Sequence, residues 1–310
     1  MTEGQPRTLL FLSEVVQGEV RGGVHVPSLG PDLLPGAGPQ HQAEDHHGAQ
    51  VDVQGDDPPT PADHRYQRAE VGSRNLQISI QIYGINRDFV DVYLREIINE
   101  TNSHFDLESL EITCLDLFKA GAETTSTTVL WVVLYLVRHQ EVQEKCYQEI
   151  SRETGEERPG LGHSLPYCQA VIWEVQRLAC VAPQTIPHRL TQPAVVGQYL
   201  IPQNSHALAN LWGFMKDPAV WSHPEDFRPE RFLQGNKLVK HPQFVPFGLG
   251  RRACMGEKLA RDNLFIFVTT IIKHLRLEDP TDHAQPDPAN FTDGFTIIPH
   301  PFYVNIKTRN

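Results

Sequence analysis

FVPFGLGRRACMGEKLAR (residues 244–261) combines three glycines, two adjacent arginines and one cysteine, and a helical pattern starts directly after the cysteine. A thiol at the amino end of a helix has its thiolate favoured by the helix dipole and by free backbone N–H groups. Gly248, Gly250 and Gly256 allow tight turns and the close approach of a flat ligand. Arg252 stands two residues before Cys254, where it can meet an anionic group on such a ligand. Taken alone, Cys254 also fits the commonest fate of a cysteine, an inert buried thiol.

Three further stretches share this mixture of apolar context and isolated chemistry. DLFKAGAETTSTTVLWVVLYLVRHQEVQEKCYQEI (116–150) places Val129, Val132, Val133, Leu136 and Val137 at helical spacing. It reads as a long buried helix followed by a second, amphipathic one. Gly121 lies inside the first, with Glu123, Thr124 and Thr125 just after it. Glycine costs a helix about 1 kcal/mol relative to alanine, so a glycine beside an acid and hydroxyls suggests that something packs on the backbone there. The plainer alternative is a packing glycine, with threonine hydroxyls bonded back to the preceding turn.

In AVIWEVQRLACVAPQTIPHRL (170–190), Glu174 and Arg177 share a helix face amid Val171, Ile172, Trp173, Leu178 and Ala179. Such surroundings argue for a buried pair, and a buried pair calls for a third partner. DPAVWSHPEDFRPERFL (217–233) has three prolines and little helix. It must be pinned by side chains, and Arg231 is the candidate partner of Glu174. A solvated loop arginine is the alternative.

Bulk properties narrow the function. The net charge of −11 argues against a general affinity for nucleic acid. Five cysteines without close pairing fit a reduced, intracellular protein better than a disulfide scaffold. The uncharged stretch Thr124–Val137 is shorter than the roughly 20 residues that span a bilayer. The start, MTEGQPRTLLFLSEVV, carries Glu3 and Glu14 and makes a poor signal peptide. Residues 1–75 hold 10 of the 22 glycines and 8 of the 24 prolines but only two aromatics, Phe11 and Tyr66, which predicts a disordered or loosely ordered segment. HQAEDHH (41–47) within it reads as a solvated polar tract rather than a metal site. The texture changes at about residue 84, which divides the chain into an atypical 1–83 and a folded 84–310.

Together, in this order, the four stretches resemble the cytochrome P450 family of haem-thiolate monooxygenases. Phe247-x-x-Gly250-x-Arg252-x-Cys254-x-Gly256 resembles the family's cysteine-ligand signature, and Ala120-Gly121-Ala122-Glu123-Thr124-Thr125 its oxygen-binding groove. Glu174-x-x-Arg177 with Pro229-Glu230-Arg231-Phe232 resembles its buried charge triad. The surrounding text, including DFVDVYLREI and IPHRLTQ, is similar to the animal microsomal branch, and the resemblance covers roughly residues 84–310.

The resemblance implies a mainly α fold with small β elements, the carboxyl-terminal part of the family's fold. It implies haem b (iron protoporphyrin IX) with Cys254 as the axial iron ligand, whose electron density favours cleavage of the O–O bond. Arg252 and His188 fall where the family holds the haem propionates. Phe247, Gly248, Gly256 and Gly121 would lie against the macrocycle. Glu123 and Thr124, rather than Thr125, would deliver protons on the oxygen side. Glu174, Arg177 and Arg231 would be structural. Arg251 fits either an acidic electron donor or a solvated surface charge. Substrate candidates are Phe118, Ala122, Ala182, Gln184, Thr185, Phe295 and Thr296. The implied reaction inserts one oxygen atom into a small apolar molecule, a fatty acid, steroid or xenobiotic, with NADPH electrons arriving through a flavoprotein reductase. The implied location is the cytoplasmic face of the endoplasmic reticulum membrane.

A complete microsomal member begins with a membrane anchor, a proline-rich hinge, a small sheet and helices, one of which brings a tryptophan and an arginine to the propionates. None is visible before residue 84, so truncation or a misread frame over residues 1–83 is expected. The alternative function is a catalytically inactive fragment that at most binds haem or a partner.

Overall fold

The computed structural model describes residues 8–10, 88–99 and 104–309. The chain divides into two compact units, residues 22–117 and residues 1–21 with 118–310. Apart from Thr8–Leu10, the atypical segment 1–83 and its HQAEDHH tract lie outside the described residues.

In the smaller unit, helix α1 (Phe89–Ile98) starts where the Asp88 carboxylate accepts the Asp91 N–H at 3.0 Å. Tyr93 meets Phe89 and Phe105 edge-on, with ring centroids 5.7 and 4.8 Å away. Helix α2 (Leu107–Arg138) begins in this unit and continues in the other. It starts earlier than the sequence pattern suggests, because Asp106 caps it by accepting the Ser109 N–H.

In the larger unit, every residue of α2 from Thr127 to Val137 is buried. By length and composition α2 could cross a membrane, but here protein covers its apolar half. The single residue His139 separates it from α3 (Gln140–Thr154), which buries Val142, Cys146, Glu149 and Ile150 along one stripe. Helix α4 (Pro166–Ala179) has proline in its first turn and ends at Cys180, in the left-handed region at φ 42°. Helix α6 (Glu257–His274) buries Leu264, Phe265, Val268 and Ile272. These four helices share one core with Trp131, Val171, Val175, Leu277 and Val304. A second core gathers Met215, Trp221, Phe232, Phe244 and Val245, and Met215 belongs to the short helix α5 (Leu211–Lys216).

The strands are short, and two of them, through Leu277 and Val304, reach the main core. β11 (Tyr303–Thr308) runs antiparallel to β8 (Leu275–Glu278) on one side and β1 (Thr8–Leu10) on the other. Two-stranded antiparallel pairs join β2 (His188–Arg189) to β5 (His206–Ala207) and β3 (Ala194–Val196) to β4 (Tyr199–Ile201). Likewise β6 (Leu233–Gln234) pairs with β7 (Lys237–Leu238), and β9 (Phe291–Thr292) with β10 (Ile298–Pro299).

Buried side-chain amides and carboxylates close the helix ends. Glu149 of α3 accepts the Tyr167 and Cys168 N–H groups, both at 2.9 Å, and so caps α4 from a neighbouring helix. Gln143 donates to the carbonyls of Leu136 and Leu277 and accepts the Leu277 N–H at 2.9 Å. It ties the end of α2 to the edge of β8. Gln143→Leu keeps the volume but orphans the buried Leu277 N–H, at a cost of about 1–3 kcal/mol, while Gln140 still donates to the Leu136 and Leu277 carbonyls at 3.3 and 2.8 Å. The urea midpoint should fall accordingly at unchanged slope, and an unchanged midpoint would show that water reaches this junction.

Candidate functional site

Glu174 and Arg177 are both fully buried on α4. The guanidinium grips the carboxylate with two hydrogen bonds, Nε to Oε2 at 2.9 Å and Nη2 to Oε1 at 3.0 Å. A fork of this kind is the strong geometry for the two groups. The third partner is Arg231, whose Nε donates to Glu174 Oε1 at 2.8 Å. It belongs to a 3-10 turn, Pro229–Phe232. Burial lowers the Arg231 pKa, and the charge of Glu174 opposes that shift. Arg231 also donates to the carbonyls of Ser222, His223 and Asp226. Arg177 donates to Met215 O and lies 5.1 Å from the centre of the Trp221 ring. The proline-rich loop is therefore laid out around two arginines and one carboxylate.

Aromatic packing carries this anchor toward the cysteine loop. Trp173 of α4 lies 5.6 Å from Phe232 and 5.3 Å from Phe244, centroid to centroid. Beyond Phe244, the Gly248 N–H donates to Val245 O, and Gly248 and Gly250 adopt φ of 74° and 76°. Only glycine takes that conformation without strain. A 3-10 turn, Gly250–Arg252, follows, and the Cys254 N–H donates to Phe247 O at 2.8 Å. Helix α6 begins three residues after the cysteine rather than directly after it, because Gly256 occupies its amino-terminal cap. A Cβ at Gly256 would lie 3.9 Å from the Cys254 sulfur.

Cys254 is exposed, unlike the buried Cys146, Cys168 and Cys180. Burial pushes the Cys180 thiol up to about 12 and raises Cys168 well above the ordinary range, which keeps both protonated and inert. Cys114 is half-buried.

Arg261 is a site neighbour that the sequence reading missed. Its guanidinium lies 4.9 Å from the Phe247 ring centre and 5.5 Å from that of Trp173, and Glu257 holds it at 2.7 Å. The available signal was the Glu257–Arg261 spacing of four on a helix. Arg251 and Arg252 are both exposed, and His188 is half-buried on β2.

On α2, no atom of the other described segments lies within 4 Å of a Cβ placed on Gly121. Among the described residues nothing packs on Gly121. The threonines do bond back, as the plainer reading expects: Thr124 donates to Ala120 O and Thr128 to Thr124 O, both at 2.8 Å. Phe118 is 74% exposed and Ala122 is exposed as well. The substrate candidates after α4 are tied to the terminal hairpin, since the Ile297 N–H donates to Val181 O at 2.9 Å. Ala182 O accepts the Cys180 thiol, Gln184 bridges to Asn210, and the Thr185 hydroxyl accepts the Ala209 N–H. Phe295 is 68% exposed, while the Thr296 hydroxyl donates to Glu123 Oε1 at 2.7 Å.

The donor set fits haem. Among the described residues no group of three or more His, Cys, Asp or Glu could hold a metal ion. An exposed thiol, left-handed glycines beside it and an uncovered Gly121 backbone are what a flat macrocycle with one protein ligand requires.

The family model described as Cytochrome P450 matches residues 62–306, starting ahead of the change in composition at about residue 84. The human protein Cytochrome P450 2U1 is 42% identical over 231 residues, which are 72% of this chain and 42% of that protein. Human Cytochrome P450 2J2 is 39% identical over 219 residues, 69% of this chain and 43% of that one. A zebrafish cytochrome P450 structure with abiraterone aligns with a TM-score of 0.67 at 32% identity, covering 77% of this chain and 59% of that one. The aligned fold is mainly α with small β elements, the carboxyl-terminal part of the family's fold. The chain spans less than half the length of the curated relatives it matches.

Removing one member of a buried, hydrogen-bonded pair leaves an uncompensated charge and costs about 3–5 kcal/mol. Glu174→Ala should lose that much in chemical denaturation. Asp262→Ala, which breaks the surface pair with Lys258, should lose under about 1 kcal/mol. Equal losses in the two variants would remove the triad from its role as anchor.

Proposed function

Because the chain belongs to the cytochrome P450 family, we propose that it holds haem b through the Cys254 thiolate and inserts one oxygen atom of O2 into a small apolar molecule. The observation that carries this reading is the exposed Cys254 at the head of α6, preceded by two left-handed glycines. When bound, haem supplies oxygen activation at its iron; the protein supplies the ligand, the propionate partners, the proton route and the substrate wall.

In this reading Cys254 would hold the haem iron, and Phe247, Gly248 and Gly256 would border the haem near the sulfur. The exposed Arg252 and the half-buried His188 would pair with the propionates. Gly121, with nothing within 4 Å of an added Cβ among the described residues, would leave room for it, and Glu123 and Thr124 would hold and pass protons. Phe118, Ala122, Ala182, Gln184 and Phe295 form the substrate wall. The substrate is a fatty acid, steroid or xenobiotic. Two similar zebrafish structures carry abiraterone and progesterone, and exposed phenyl rings suit apolar ligands of that kind.

Electrons come from NADPH through a flavoprotein reductase that meets the exposed Arg251, at the cytoplasmic face of the endoplasmic reticulum membrane. A second reading, haem binding without turnover, is favoured by the exposure of the apolar side chains Phe118, Leu249, Met255 and Phe295, which leaves water access to the site.

Cys254→Ser should abolish the thiolate-type spectrum of the reduced carbon-monoxide complex in haem-loaded protein. Persistence of that spectrum, with loss on replacing another cysteine, would reassign the ligand. A normal spectrum without product would favour the second reading. Thr124→Ala should raise peroxide release relative to product and exceed the effect of Thr125→Ala. The reverse order would move the proton role to Thr125.

A further inference from the structure

Glu123 and Thr296 are 173 positions apart, yet the Thr296 hydroxyl donates to Glu123 Oε1 at 2.7 Å. The donor is held rigidly. Thr296 is buried, and its neighbour Ile297 is pinned twice, by its N–H to Val181 O at 2.9 Å and by its carbonyl to the Trp131 indole N–H at 3.0 Å. Trp131 is itself buried on α2, two turns beyond Glu123. The final hairpin is thus registered against α2 by contacts independent of Glu123. The threonine hydroxyl then has little freedom except toward the carboxylate.

The acceptor is in a different condition. Glu123 is half-buried on the stretch of α2 whose outward neighbours, Gly121 and Ala122, are exposed. Among the described residues its Oε1 accepts from Thr296 while its Oε2 accepts no hydrogen bond. A flexible glutamate held at one oxygen and free at the other has a fixed direction in which to take or give a proton. We propose that Thr296 is a positioning residue: it orients the Glu123 carboxylate for proton delivery beside Thr124, and does not contact the substrate through its hydroxyl.

This rests on the haem monooxygenase reading above, and it deepens that reading by tying the proton route to the terminal hairpin. Thr124 cannot hold Glu123 in this way, because its own hydroxyl donates to Ala120 O. Among the described residues the only side-chain donor to the Glu123 carboxylate is Thr296.

The test compares Thr296→Val, which keeps shape and removes the donor, with Thr296→Ser, which restores it. Three measurements are made on the haem-loaded full chain. The thiolate-type carbon-monoxide spectrum should be the same in parent and both variants. The peroxide-to-product ratio should rise about tenfold in Thr296→Val, the smaller factor expected on losing a hydrogen bond to a charged group. It should return toward the parent in Thr296→Ser, with KM unchanged in both. In a Glu123→Gln background Thr296→Val should add nothing.

The third measurement needs no turnover. The infrared carboxylate band assigned to Glu123, by subtraction of the Glu123→Gln spectrum, should shift in Thr296→Val and return in Thr296→Ser. An unmoved band overturns the proposal whether or not haem is present. A raised KM, or an equal effect in the Glu123→Gln background, overturns it in favour of a substrate contact. Loss of the carbon-monoxide spectrum from the parent itself would instead sink the haem reading, with the infrared band still deciding the Thr296–Glu123 contact.

Discussion

A carboxylate with no exposure to water is the constraint on which the cysteine side of this protein depends. Glu174 receives hydrogen bonds from Arg177, from Arg231 and from the Arg228 N–H at 3.0 Å. Burying those charges is costly, and such a cluster contributes less to net stability than its short distances suggest. Its consequence is geometric. The loop from Asp217 to Leu233 has little regular structure of its own, and each carbonyl that Arg231 reaches fixes another part of it. A hydrophobic replacement could fill the space, but it would not specify where three loop carbonyls must sit.

Position is then passed on through rings rather than charges. Phe232 follows Arg231 directly and meets Phe244 at 4.9 Å, at the start of the cysteine loop. Trp173 touches both rings from the helix that carries Glu174. Arg261 reaches back from α6 to Trp173 and Phe247, so the loop is held at its entry and exit by the same aromatic group. Large planar side chains suit this task because they bury much area while losing few rotamers. The left-handed glycines between these supports let the backbone fold tightly without obstructing whatever approaches Cys254.

The stretch of α2 around Gly121 is organised by a different device. Its helix is covered from Thr127 onward and bare around Gly121. One helix thus combines a core function at its carboxyl-terminal half with an open surface before it. The terminal hairpin crosses the junction, bonded to Trp131 on the covered part and to Glu123 at the edge of the bare part. The matched region covers 42% of the length of human Cytochrome P450 2U1.

Features that depend on near neighbours were legible in the sequence. The Glu174–Arg177 pair follows from a spacing of three on an apolar helix, and the cysteine loop from glycines at fixed offsets. The periodicity of Val129 to Val137 likewise required a buried helix. Even the third triad member could be anticipated, since a buried pair demands compensation and the proline loop offered an arginine. What depends on distant segments was not legible. No local pattern joins Thr296 to Glu123, and the residue that the sequence suggested as a substrate contact spends its hydroxyl on a carboxylate. Gln143 reads as one more polar position of an amphipathic helix, until β8 arrives with a buried N–H and C=O to satisfy. Glu149 looks like a surface acid until it caps another helix. Periodicity and spacing record which face of an element is buried. The partner of a polar group on that face is set by packing between segments far apart in the chain, and only the tertiary structure decides it.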